Sequence, residues 1–363
     1  RAKQLATFAL LMKACQKDRA FLDGKVMPRV YDMPRPIAEV ISADNDKRNT
    51  EEYLREVLPH YLLGGNDTMV KELTESILLM NHADTLGSIM KFDISESTRN
   101  AVLVRTLEYE EQVANGEMVP ESVRQFMPYM NIILALTEKY AAICMNPPYM
   151  GSGRFDEVLG KYVKDNYAEA KADLATVFIE LAGQHTAVNG KYAFIVPPSW
   201  MFLSTFEGLR KDIIANKSIE SLLHLSRGVF GADFGASSAV IKNTRNDNAR
   251  GTYFRLVERT FQEFEQSHLR MLFEQTLANH EFKYNFKEYT KDVTELPYSE
   301  DGNRIYYPNV EQKNFEKIPE SPIGYWLGHN WGTIFKEYKP LGNKYALKKG
   351  MSTGDNARFI RNW

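Results

Sequence analysis

The sequence has little of several features that would restrict its function at once. Its two cysteines, Cys15 and Cys144, match no disulfide or metal-site spacing, and its seven histidines form no i, i+4 pair. No stretch approaches the roughly 20 apolar residues of a membrane span, and no signal sequence opens the chain. Lys and Arg number 45 against 47 Asp and Glu, so the net charge is −2 and no global positive field exists. We therefore predict a soluble, cytoplasmic protein without a metal or a membrane partner, on which any nucleic-acid surface is local.

The 363 residues have room for two domains or for one large α/β domain with an insertion. Apolar residues at helical spacing predict helices over 1–22, 50–90 and 97–139, and "YAAICM" at 140–145 indicates a buried strand. Past the glycines that follow, "DLATVFIELAGQHTA" predicts a helix, and Ser204 with Glu207 predicts a capping box for another. "KYAFIVPPSW", "SIESLLHLS" and "SSAVIKNT" predict further strands. This alternation favours an α/β fold with a mostly parallel sheet covered on both faces.

The two ends of the chain are abrupt. It begins inside an amphipathic helix, "AKQLATFALLMKAC", with no starting methionine and no N-cap residue, and it stops at "GDNARFIRNW". We expect an internal piece of a longer protein.

The segment that carries chemistry is Asn146-Pro147-Pro148-Tyr149, directly after the predicted strand. In open parallel sheets, ligands bind beyond the carboxyl ends of the strands. Each proline fixes its φ angle and lacks an N–H, so the Asn146 side chain and the Pro147 carbonyl are held as acceptors. Two such acceptors suit a substrate amine such as the exocyclic amine of adenine, and Tyr149 offers a face for stacking a base. The alternative is a stiff strand exit with a surface tyrosine.

The tetrapeptide resembles the catalytic motif of class I S-adenosylmethionine-dependent amino-methyltransferases. With "DLATVFIELA", "YAFIVPPSWMFL", "SPIGYWL" and "GMSTGDNARFIRNW", the chain is similar to the adenine-specific DNA methyltransferases of BREX (phage-growth-limitation) defence systems. That resemblance implies a Rossmann-like class I fold that lacks its first strands and has a helical insertion and a C-terminal extension. It also implies S-adenosyl-L-methionine as cofactor, double-stranded DNA and other BREX proteins as partners, and a role in phage defence.

The resemblance assigns roles residue by residue. Asn146, Pro147, Pro148 and Tyr149 become catalytic, Asp84 matches the acid that contacts the cofactor's adenine, and Asp173 begins a helix motif lining the cofactor and base pockets. An exposed turn aspartate explains Asp84 as well, and helix capping explains Asp173. Three aromatic residues become candidates for contact with an extruded base, and each is also explained by core packing: Phe178, Phe230 and Phe234.

One departure from the family concerns its glycine-rich cofactor loop, because no Gly-x-Gly turn after a strand precedes Asn146. By the resemblance, residue 1 falls just past the acid that holds the cofactor's ribose. We therefore expect the isolated chain to bind cofactor poorly and to be inactive.

Near the end of the chain, lysines alternate with aromatic residues, and Lys348 and Lys349 are candidates for contact with a DNA backbone. A solvated charged face explains them equally well. The domain prediction is 1–140 for the remainder of the cofactor half with its insert, 141–245 for the catalytic core, 246–345 for a connecting region and 346–363 for the start of target recognition.

Two other functions stay open at this point. The same tetrapeptide serves methyltransferases that act on RNA bases or on a protein glutamine. A non-catalytic module that binds DNA or partner proteins is the third hypothesis.

Overall fold

The computed structural model describes residues 1–23, 27–43, 49–229, 234–258, 263–292, 294–328, 330–339 and 341–345. They form two compact units. The first comprises Arg1–Ile143 and Pro148–Ala187, and the second comprises Cys144–Pro147 and the described residues from Val188 onward. The chain thus passes from one unit to the other inside the tetrapeptide.

The first unit is mainly helical, as the apolar spacing predicts. Its helices before the tetrapeptide are α1 (Ala2–Lys17), α2 (Ile37–Ala43), α3 (Thr50–Leu62), α4 (Asp67–Leu79), α5 (Ala83–Leu86), α6 (Glu96–Ala114) and α7 (Glu121–Thr137). Strand β1 (Tyr140–Met145) follows, and α8 (Glu157–Asn166) and α9 (Leu174–His185) come after the tetrapeptide. The three predicted helical regions and the strand are confirmed, although α1 ends at Lys17 and a 3₁₀ turn, Arg19–Asp23, completes the first region.

Polar side chains start several of these helices by accepting hydrogen bonds from first-turn N–H groups, which have no partner within the helix. Asn49 accepts from the Glu51 N–H at 2.8 Å and Asn66 from the Met69 N–H at 2.9 Å. Asp156 accepts from the Leu159 N–H at 2.8 Å at the start of α8. Local sequence therefore determines where these helices begin.

The core of the first unit is formed by the apolar faces of its helices. Leu54, Ile77 and Phe126, which come from α3, α4 and α7, are almost fully buried. A buried hydrogen bond of 2.7 Å joins the Tyr61 hydroxyl to the Thr106 hydroxyl and so ties α3 to α6. Burial raises the pKa of Tyr61 to about 12, so its hydroxyl stays neutral in this core.

The second unit is built on a sheet. Its elements are β2 (Thr186–Val196), α10 (Glu207–Asn216), β3 (Ser218–Leu225), β4 (Ala236–Lys242), β5 (Arg250–Arg255), α11 (Gln266–Ala278), β6 (Lys283–Tyr284), β7 (Asn303–Arg304), β8 (Tyr306–Glu311) and α12 (Asn330–Glu337). The sheet has the strand order β1-β2-β4-β3-β5-β8, and β6 pairs with β7 separately. The α/β class is confirmed.

The sheet is mixed. Strand β4 is antiparallel to both β2 and β3, β5 is parallel to β3, and β8 is antiparallel to β5. Strands β2, β3 and β5 therefore point the same way, while β4 and β8 run against them. The sheet also continues past residue 246, where the connecting region was predicted to begin, because β5 and β8 belong to the same sheet.

Two local predictions are wrong. Strand β1 is not buried: Tyr140, Ala141 and Ala142 are exposed, because β1 is the last strand in the described order and one of its edges has no neighbouring strand there. The capping box does not form either. Ser204 starts a separate 3₁₀ turn, and Glu207 is the first residue of α10 rather than its third, so it pairs with Lys211 at 2.6 Å instead.

Candidate active site

The tetrapeptide follows the carboxyl end of β1. Asn146 is exposed, Pro147 is buried, Pro148 is exposed and Tyr149 is half-buried. The buried Pro147 anchors the corner, and the neighbouring asparagine stays accessible to solvent. An accessible amide beside a buried, conformationally restricted proline can meet a substrate without large reorganisation.

The segment after Tyr149 is fixed to the start of α9. The Ser152 N–H donates to the Ala172 carbonyl at 2.8 Å, and the Leu174 N–H donates to the Met150 carbonyl at 2.9 Å. Gly151 and Asp173 form an isolated antiparallel bridge between these bonds. The backbone next to Tyr149 is therefore held by hydrogen bonds rather than left as an open loop.

The Asp173 carboxylate accepts hydrogen bonds from two segments at this junction. Its side chain caps α9 by accepting from the Ala175 N–H at 2.8 Å. Burial raises the pKa of Asp173, while hydrogen bonds from the Ala175 and Met150 N–H groups oppose that shift. The predicted capping role is confirmed, and the same carboxylate also holds the residue that follows Tyr149.

The backbone conformation does not require glycine at either of the two positions after the tetrapeptide, Gly151 and Gly153. Gly151 has φ −67°, and Gly153 does not belong to the residues with positive φ. A Cβ on Gly151 would meet nothing nearer than the Ala172 carbonyl oxygen at 4.0 Å, and one on Gly153 would meet no atom within 4 Å. The glycines leave open space beside the corner, where a ligand can approach the backbone closely.

Tyr149 is in a partly dehydrated environment, and burial raises the pKa of its hydroxyl. The ring therefore remains uncharged over the physiological pH range. A neutral, half-buried aromatic ring is suited to stacking against another planar group.

Asp84 lies in the first turn of the short helix α5, where it is exposed and accepts from the Thr85 N–H at 2.9 Å. Phe178 lies on α9, is half-buried and packs against the core of the first unit. In the second unit Phe234 is 40% exposed. Phe230, Lys348 and Lys349 lie outside the described residues.

The possible metal-ligating side chains are dispersed over the part of the chain that the structure describes. This part contains no group of three or more His, Cys, Asp or Glu side chains arranged to hold an ion. A search of the same residues finds no helix with the length and apolar character needed to cross a membrane.

Residues 1–230 match the model of the family described as "Eco57I restriction-modification methylase". The chain belongs to the Eco57I restriction-modification methylase family. The matched region includes the tetrapeptide, the loop after it and both helices that follow.

Two relatives of this Eco57I-family chain match it along its whole length. The adenine-specific methyltransferase PglX of Lacticaseibacillus casei (strain Zhang) is 28% identical over 372 residues, and the adenine-specific methyltransferase BrxX of Escherichia coli O9:H4 (strain HS) is 28% identical over 375 residues. The chain spans 27% and 28% of the lengths of these relatives. The type II methyltransferase M.HincII of Haemophilus influenzae is 32% identical over 109 residues, which are 28% of this chain and 21% of that protein.

Among solved structures, the chain is similar to a modification subunit of a putative type I restriction enzyme from Vibrio vulnificus YJ016. The TM-score is 0.29 and the identity 14%, covering 66% of this chain and 64% of that chain. This TM-score is too low to support an assignment of fold or function.

An Eco57I-type methylase implies a methyl-donating cofactor, and the described residues fit one only in part. Asp84 offers an exposed carboxylate that can accept a hydrogen bond from an adenine amine. No strand precedes β1 among the described residues, so the described residues before Asn146 contain no glycine turn between a strand and a helix. The described residues therefore offer an acceptor for the adenine of such a group, and before Asn146 they include no glycine turn that would approach it closely.

Proposed function

We propose that this chain provides the amine-binding corner of a DNA adenine-N6 methyltransferase. The observation that carries the proposal is an exposed Asn146 beside a buried Pro147 at the carboxyl end of β1, within a region that matches the restriction-modification methylase family. Three relatives whose names describe methyltransferases support the reaction class.

The reaction requires that a poor nucleophile be made reactive. The lone pair of an adenine exocyclic amine is delocalised into the ring. In our proposal, Asn146 Oδ1 and the Pro147 carbonyl accept one hydrogen bond each from the amine, which draws its nitrogen toward tetrahedral geometry. An amide oxygen does this without the desolvation cost of a buried charge.

The base itself has to leave the duplex before it can reach this corner. We propose that Tyr149 stacks on the extruded adenine, and that Phe178 and either Phe230 or Phe234 complete the apolar surroundings. Base stacking on an aromatic ring contributes about 1 to 3 kcal/mol, which offsets part of the unstacking cost.

S-adenosyl-L-methionine, when bound, supplies the methyl group as an electrophile. We propose that Asp84 holds its adenine and that Asp173 faces the same pocket.

The wider setting follows from the same family. We propose double-stranded DNA as substrate, with Lys348 and Lys349 contacting the backbone beside a target-recognition region that starts in 346–363. We also propose a cytoplasmic role in phage defence together with other BREX proteins.

The test is to identify the methylated product of the protein by mass spectrometry, comparing the wild type with the variant Asn146→Ala and with Asn216→Ala as the control. The exposed Asn216 ends α10, and its side chain donates to the half-buried Asp212 at 2.8 Å, so Asn216→Ala removes the same kind of side chain at a position outside the tetrapeptide. We expect N6-methyladenine in DNA from the wild type and the control, and a loss of at least 100-fold in the variant, in line with the loss of an oriented hydrogen-bonding group. Methylated RNA or a methylated glutamine would establish one of the alternative substrates. Undiminished DNA methylation by Asn146→Ala would contradict the catalytic role.

A further inference from the structure

The second unit contains a cavity of about 370 Å³ that the tetrapeptide chemistry does not use. Its walls come from β8, the segment 312–318, the segment 324–328 and the start of α12. Its size falls in the range of small-molecule sites, about 300 to 1,000 Å³. Its lining includes the charged or aromatic side chains of Arg304, Tyr307, Lys317, Trp326 and Trp331.

The cavity has an excess of positive charge. It is lined by Arg250, Arg304 and Lys317 against one carboxylate, Glu311. Arg250 and Glu311 approach within 4.0 Å, so their charges offset each other. Among the described residues, Arg304 pairs with the exposed Glu281 at 3.9 Å, a contact that solvent screens, and its guanidinium lies 5.6 Å from the centre of the Tyr307 ring.

The exposed Lys317 side chain lies along the wall of the cavity. Its ammonium donates to the neutral Asn314 side chain at 2.6 Å, and among the described residues it forms no ion pair. Its stem lies against Gly332, where an added Cβ would come within 2.8 Å of Lys317 Cδ. Because Gly332 follows Trp331, the ammonium and the indole belong to the same wall of the cavity.

Aromatic rings form the other part of the lining, and their neighbours hold them in place. Trp326 lies edge-on to the buried Tyr325 at 4.9 Å and beneath the Arg255 guanidinium at 4.7 Å. Tyr307 packs edge-on against Tyr325 at 5.5 Å. Trp331 is 45% exposed, so one part of its indole is accessible. These contacts hold Trp326 and Tyr307 in place, and the ring of Trp331 lies with its centroid 6.3 Å from that of Phe335.

The backbone of the cavity wall is also specialised. The pairing of β8 with β5 shifts by one residue between Gly251 and Tyr253, so Pro308 and Asn309 face a single residue, Thr252. Asn309 has φ 53°, a left-handed conformation that asparagine tolerates better than most residues. Such bulges turn side chains and carbonyls out of the regular ladder and are frequent beside binding sites.

We propose that this cavity binds a nucleoside monophosphate group, with the base stacked on Trp331 and the phosphate paired to Arg304 and Lys317. A planar ring and cations lining one cavity suit a base that carries a phosphate, since guanidinium and ammonium groups both bind phosphate oxygens and indole stacks on any base. The group comes either from a free nucleotide or from a nucleotide within a DNA strand. The inference goes beyond the methyl-transfer proposal and does not depend on it.

The experiment is calorimetric titration of thymidine 5′-monophosphate into the protein, with uncharged thymidine and inorganic phosphate as comparison ligands. Thymine has no exocyclic amine, so binding does not draw on the Asn146 corner, and failure of the methyl-transfer proposal would leave the result unchanged. We expect the monophosphate to bind more tightly than either comparison ligand. Arg304→Gln with Lys317→Gln, and separately Trp331→Ala, should each weaken binding about tenfold.

The matched control is Arg270→Gln, because Arg270 is an exposed arginine on α11 whose side chain pairs with Glu274 and does not line the cavity. It should bind as the wild type does. Equal binding in all variants, or phosphate binding as tightly as the nucleotide, would overturn the assignment.

A short thymidine oligonucleotide distinguishes the two sources. Binding at least tenfold tighter than the monophosphate, and strongly weakened by salt, supports a nucleotide within a strand. Similar affinities for both support a free nucleotide.

Discussion

The hydrogen bonds of Asp173 lead to a quantitative prediction about the junction beside Tyr149. The carboxylate accepts from the Ala175 N–H at 2.8 Å, and its pKa also reflects a bond from the Met150 N–H. Loss of a helix N-cap costs about 1 kcal/mol, and loss of a second bond to a charged group costs a similar amount. Asp173→Ala should therefore lower the free energy of unfolding by about 2 kcal/mol.

The isosteric variant separates structure from charge. Asparagine is as good an N-cap as aspartate but has only one acceptor oxygen, so Asp173→Asn should lower the free energy of unfolding by less than Asp173→Ala does, by at most about 1 kcal/mol at pH 7. The sign of the pKa shift agrees: because the folded-state pKa is raised, the folded protein disfavours the charged form at neutral pH, and removing the charge carries no penalty.

The assay is urea denaturation of the three proteins, followed at pH 7 by fluorescence. If Asp173→Ala is as stable as the wild type, the argument from these hydrogen bonds is refuted. Cofactor binding adds a separate readout, since loss of S-adenosylmethionine binding in a stable Asp173→Asn protein would support direct contact by the carboxylate, and retention would limit Asp173 to positioning.

Three further predictions concern the second unit. The fully buried Arg210 guanidinium donates to the carbonyls of Trp200, Leu203 and residues 320–321 at 2.7 to 3.3 Å. Arg210→Met should therefore lower the free energy of unfolding, measured by chemical denaturation, by at least about 3 kcal/mol. A smaller loss would show that water replaces these hydrogen bonds. Burial, and to a lesser degree Arg255, lowers the pKa of His224 to about 4. Because the unfolded chain binds a proton at His224 near pH 6.5 and the folded chain does not, the free energy of unfolding should fall as pH drops from 6.5 to 4, by up to about 3 kcal/mol. Thermal melts across this pH range should show a flatter dependence of stability on pH for His224→Gln. An unchanged slope in that variant would exclude His224 as the source of the pH dependence. An added Cβ at Gly251 would lie 2.5 Å from the Ile219 carbonyl oxygen, so Gly251→Ala should lower the melting temperature through a loss of about 1 to 3 kcal/mol, whereas full stability would mean that β3 and β5 can separate without cost.

The predictions from sequence that hold are those in which neighbours along the chain decide the outcome. Apolar spacing predicts the helical region that contains α3 and α4, and the polar caps that the structure shows at α3, α4 and α8 are equally local, since each capping oxygen and its N–H donor are two or three residues apart. The strand before Asn146 and the turn after it also follow from local chemistry, because two consecutive prolines cannot continue a hydrogen-bonded ladder. Asp173 belongs to the same group as a helix cap.

The errors and omissions arise where a partner distant in sequence is needed. The apolar composition of β1 predicts burial, yet exposure depends on whether a strand lies on each side, and the described strands cover only one. Ser204 and Glu207 have the spacing of a capping box, but packing starts α10 at Glu207 and thereby moves both residues out of register. No motif indicates the cavity of the second unit, because Arg304, Lys317 and Trp331 come from three separate segments.

The sequence alone determined the helical periodicity, the position of the acceptor-bearing corner and the reaction class that the tetrapeptide resembles, because each depends on residues within one short segment. Only the tertiary structure decided the antiparallel insertion of β4, the second attachment of Asp173 beside Tyr149, and the joining of cations and indoles around one cavity. These features are set by contacts between segments up to about a hundred residues apart, and strand pairing and packing energies choose among arrangements that local preferences leave nearly equal.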